Sequence, residues 1–72
     1  MTTLLTNEDK LSVINQHIKS IDFQVYNLDL DLLEANAEAT PNAENISSIN
    51  SRITSLTEKR AVLAAKALQL EE

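Results

Sequence analysis

Seventy-two residues at 8.0 kDa leave room for one small domain. The chain has no Cys, which excludes a disulfide framework and a thiolate metal site, and no Gly, which excludes the phosphate-cradling and dinucleotide-binding loops. A net charge of −5 with only six Lys and Arg argues against nucleic acid and against an anionic membrane surface.

A charged, aromatic-poor chain can be disordered. Here 43% of the residues are apolar and they recur with a strict period, which argues for folding. The opening residues 1–9 carry no basic stretch and only two adjacent leucines, so no secretory signal is expected, and no apolar run is long enough to span a membrane.

The first helix announces itself at Thr6. Asp9 follows three residues later, as in a capping box, Leu5 stands where a hydrophobic staple would, and Glu8 and Asp9 suit the positive end of a helix dipole. From there Leu11, Ile14, Ile18, Ile21, Val25, Leu28, Leu32, Ala35 and Ala39 step alternately by three and four. That is a heptad seam sustained over four heptads. It predicts a helix over about 7–38.

Ala39-Thr40-Pro41-Asn42 follows. Thr40 as N-cap with Pro41 at the first helical position makes a favourable helix start, and a proline disfavours helical geometry in the residue before it. The turn is therefore placed at about 39–42 and a second helix at about 41–70. Its seam reads Ile46, Ile49, Ile53, Leu56, Arg60, Leu63, Ala67 and Leu70, with one charged member.

The expected fold class is all-α: an antiparallel two-helix coiled-coil hairpin forming a single domain over 1–72 and oligomerising into a helical bundle. In the hairpin, facing seam residues have numbers summing to 81, so Leu32 meets Ile49, Val25 meets Leu56, Ile18 meets Leu63 and Leu11 meets Leu70. Asp31 falls near Arg52 as a flanking ion pair, and Arg60 falls beside Ile21 within reach of Asp22. The alternative is one long helix kinked at Pro41, because the heptad phase runs on through Ala39, Asn42 and Ile46. An interior proline opposes it at ~3 kcal/mol.

A second apolar row lies on the first helix. Phe23, Tyr26, Leu30, Leu33 and Ala37 also step by three and four, on nearly the opposite side from the seam. One partner helix covers only one of these faces. The second helix has a smaller surplus in Ala61, Val62, Ala64, Ala65 and Leu68. A row that contains both aromatic residues reads as a contact face, with Phe23 and Tyr26 as its anchors. The expected partner is another copy of the chain or another protein, and no small-molecule substrate.

Chemistry-bearing residues are few. His17 is the single histidine and has no second ligand at metal-binding spacing, so no metal and no cofactor are expected. Asp29 and Asp31 point to different sides of the helix and suit a seam-flanking role better than acid–base work. The dispersed serines have no His or Asp constellation around them. The chain reads as a non-enzyme. Arg60 either snorkels its head to water or, with Asp22, Asp31 and Arg52, sets register and partner choice.

The stretches Leu5–Leu11, Ile14–Ile18, Tyr26–Leu30 and Ala39–Ala43 resemble those of short helical-hairpin proteins of marine tailed bacteriophages, the cyanophage type. The resemblance implies a viral origin, a place in the virion or the host cytoplasm, and no transferable site residues. The expected function is structural: an assembly protein of a phage particle acting through coiled-coil contacts. The alternative is a small adaptor or inhibitor that binds a host protein through the outward row of the first helix.

Overall fold

The computed structural model describes residues 4–71. They form two helices, α1 (Asn7–Asn36) and α2 (Ala43–Glu71), folded back on each other as an antiparallel hairpin. The molecule measures 60 × 20 × 14 Å. Pro41 lies between the helices, so the chain reverses there and the kinked single helix is not adopted.

The start of α1 follows the sequence. Thr6 is extended, at φ −77 and ψ 169. Its Oγ1 accepts from the Asp9 backbone N–H at 3.1 Å, and its own N–H donates to Asp9 Oδ2 at 3.2 Å. Two of the orphan donors at the helix start are thereby satisfied reciprocally. The staple is not made: the apolar partner should sit at the fourth helical position, which is Lys10, and Leu5 is 46% exposed.

The turn differs from the expected one at both ends. α1 stops at Asn36, two residues early, and Ala37 is its C-cap in right-handed helical geometry. No described residue has positive φ, in keeping with a chain that has no glycine to end a helix in left-handed geometry. The Ala37 N–H closes the last turn by donating to Leu33 O and Glu34 O, and Asn36 Nδ2 donates to Leu32 O at 3.0 Å. Ala39 leaves the seam and is exposed.

α2 begins at Ala43, with Pro41 outside it. Its cap is Asn42, not Thr40: Asn42 Oδ1 accepts from the Asn45 N–H at 3.0 Å, and Asn42 O accepts the first helical bond from Ile46 N–H at 3.0 Å. Thr40 and Pro41 lie between the two helices, a proline disfavours helical geometry in the residue before it, and the next Asx residue, Asn42, starts α2.

The seam is the core. Leu28, Ala35 and Ile49 are buried together, with Leu32, Ile46, Ile53 and Leu56 packed around them. Ile21 is buried midway along α1. Toward the open end, Leu11, Ile14, Ile18, Leu63, Ala67 and Leu70 are half-buried, and Asn7 Nδ2 donates to Leu70 O at 3.3 Å to tie the ends together. Among the described residues no side chain is fully buried. Two helices bury one stripe each, which leaves the core one layer thick.

Candidate contact face

The outward row of α1 stands in solvent. Phe23 is 62% exposed, Tyr26 63%, Leu33 66% and Leu30 39%. Ala37, the last member, is exposed at the C-cap. The helical period places the whole row away from α2, because the seam occupies the opposite side of the same helix. Lys19 lies one turn before Phe23 with its Nζ 6.0 Å from the ring centroid, at the outer limit of a cation–π contact. Lys19, Asp22, Phe23 and Tyr26 line one shallow groove.

Asp22 connects this face to α2. Arg60 Nε donates to Asp22 Oδ1 at 2.7 Å and Nη2 to Oδ2 at 3.4 Å. Arg60 occupies a seam position, yet its side chain is 46% exposed: the stem leaves the seam and the guanidinium grips a carboxylate at the rim. The guanidinium's hydrogen bonds hold the Asp22 carboxyl below its ordinary value, partial desolvation opposes this, and the Coulomb attraction adds to it. Asp22 in turn raises Arg60.

Asp31 and Arg52 do not form the expected ion pair. They border the same two grooves along the hairpin, and the salt bridge among the described residues is the one between Asp22 and Arg60. Glu34 and Glu38 share one of those grooves with Arg52, which leaves the guanidinium among several carboxylates with no fork closed on any of them.

The surplus on α2 divides. Ala64 turns inward and is half-buried, whereas Ala61, Val62, Ala65 and Leu68 stay outside, Val62 at 69% and Leu68 at 62% exposure. Ala64 directly follows the half-buried seam residue Leu63, one turn after Arg60.

A hydroxyl-rich depression runs along α2 past Ser47, Ser51, Thr54 and Ser55, open to solvent, with Glu58 its one titratable group. No His stands beside any of these hydroxyls, and His17 is exposed on α1. Among the described residues no three His, Asp or Glu side chains converge as metal ligands. None of the described helices is long and apolar enough to cross a membrane.

No protein-family model matches the chain, no curated protein is significantly similar to it, and no solved structure matches it.

Proposed function

We propose that this protein is a structural or assembly module that works by helix-to-helix contact, with the outward row of α1 as its contact face. The observation that carries the reading is the exposure of Phe23, Tyr26 and Leu33 in one register on a single helix, α1. Scattered surface hydrophobes need no explanation, but a contiguous row with both aromatics of the chain does. The hairpin supplies the scaffold and the row supplies the adhesion. No cofactor enters this reading. The resemblance to phage hairpin proteins supports a place in a viral particle or its assembly, in the virion or the host cytoplasm.

Sedimentation equilibrium over a wide concentration range tests it, on the chain and on Phe23→Asp. The expected result is association that Phe23→Asp weakens while helicity by circular dichroism persists. Association of the parent chain that Phe23→Asp leaves unchanged in mass and helicity would remove the row from the function. A helical monomer at every concentration would assign the same face to a different protein, as in an adaptor or inhibitor.

A further inference from the structure

The outward row has a length and an end charge that specify what covers it. The hairpin exposes 5633 Å². A compact chain of 8.0 kDa exposes about 4,450 Å². The surplus of roughly 1,200 Å² belongs to the whole elongated hairpin, 60 × 20 × 14 Å, and leaves it with more surface than a compact chain of its mass.

Direction follows from charge. Phe23, Tyr26, Leu30 and Leu33 step by three, four and three, so an inverted copy of α1 meets the row residue for residue, with facing numbers summing to 56. Phe23 then meets the partner's Leu33 and Tyr26 meets the partner's Leu30. Lys19 reaches the level of the partner's Ala37, at the end of the partner's α1. That helix end is short of cations: α1 has no basic residue in its last turn, and Glu34 and Glu38 lie around it. A lysine delivered there complements both the carboxylates and the negative end of the dipole. A parallel copy instead sets Lys19 against Lys19 and places Asp29 beside the partner's Glu34 on both flanks. The antiparallel copy opposes only Asp29 to itself, at the solvent-facing edge near the axis. One like-charge contact, offset by two Lys19 contacts, wins over three unrelieved ones.

We propose that the face is covered by a second copy of this chain, packed antiparallel on α1 about a two-fold axis between Tyr26 and Leu30, with the helices in the order α2–α1–α1–α2. This rests on the contact-face reading above and adds the partner and its direction.

The absence of cysteine makes the test direct. Asn27→Cys and Ala37→Cys each give a single spin-label site at an exposed position off the seam. Asn27 lies beside the proposed axis, so its labels should fall within about 15 Å of each other. The two copies of position 37 lie eighteen residues apart along the antiparallel helices, about 27 Å at 1.5 Å per residue. Pulsed electron-spin distances of short for 27 and long for 37, in a chain of dimer mass, are expected. Short distances at both positions would mean parallel packing and overturn the inference. So would a close approach of labels on Ser55→Cys, on α2. A monomeric mass with no interchain distance also overturns it. The contact-face reading fails separately, on unchanged association of Phe23→Asp. The mass of the unsubstituted chain decides for or against a second copy even if a labelled variant loses helicity.

Discussion

Arg60 and Asp22 are the one ion pair that ties α1 to α2 among the described residues, and the arginine reaches it from a seam position. The two residues stand thirty-eight apart in the chain and meet at 2.7 Å. Their bond crosses from the core face toward the rim, next to the groove that holds Phe23 and Tyr26. It joins the fold to the contact face and is the contact through which pH should act on the hairpin.

The sign of that dependence follows from Asp22, whose carboxyl is held below its ordinary value chiefly by the hydrogen bonds from Arg60. A group with a depressed folded pKa contributes stability that is present above its unfolded value and is lost as pH falls through the folded one. Asp22→Asn should therefore lower the thermal midpoint slightly at neutral pH. The two proteins should converge below the ordinary carboxylate range, and added salt should narrow the gap at neutral pH because both side chains are half-exposed. Equal midpoints at pH 7 and low salt would show the pair to be energetically silent.

Replacing the arginine itself should have the opposite effect. By register, position 60 faces Ile21, which is only 8% exposed. Arg60→Leu fills the seam with apolar surface, and the Asp22 it abandons stays half in water with no buried charge stranded. A higher thermal midpoint at unchanged oligomeric mass is expected. A change of mass would instead mean that the ion pair fixes register.

Capping offers a contrast between an observed and an expected residue. Thr6→Ala removes an acceptor at the start of α1, and Asn42→Ala removes one at the start of α2. Each should cost about 1 kcal/mol in urea unfolding. Thr40→Ala, which removes the cap the sequence suggested, should stay within ~0.5 kcal/mol of the parent. A larger loss at Thr40 than at Asn42 would contradict the observed turn.

Core and contact face should separate under truncation. Leu28 is 4% exposed and sits in the main cluster. Leu28→Ala should cost about 2–5 kcal/mol, comparable to the ~3–5 kcal/mol that so small a core supplies, and helicity should collapse at ordinary temperatures. Leu33→Ala, on the outward row, should leave the hairpin helical and reduce association. Circular dichroism and sedimentation on the same samples check both.

Much of the fold was legible because it rests on local or periodic signals. The capping box at Thr6 and Asp9 involves residues three apart, so it can be read without knowing what α1 packs against. The seam of α1 from Leu11 to Ala35 appears in the structure as its buried and half-buried residues, because a helical face is set by residue spacing. The exposure of Phe23, Tyr26, Leu30 and Leu33 was legible for the same reason. Less legible were contacts that depend on reach. Asp31 and Arg52 border the same two grooves without bonding, although facing numbers brought them close, since adjacency of backbones does not decide where long side chains end.

The sequence by itself determined the apolar seam on either side of Pro41 and where α1 begins, which follow from hydrophobic period and from a cap made within one turn. The packing of α1 on α2 decided the hairpin over the single kinked helix. Only the tertiary structure decided that Ala37 and Ala39 belong to the turn, that Asn42 caps α2, that Ala64 turns inward, and that Arg60 leaves the seam for Asp22. The reason is physical. A reversal must join two axes whose separation is set by packing along their whole length, and a long side chain takes the partner that this separation brings within reach.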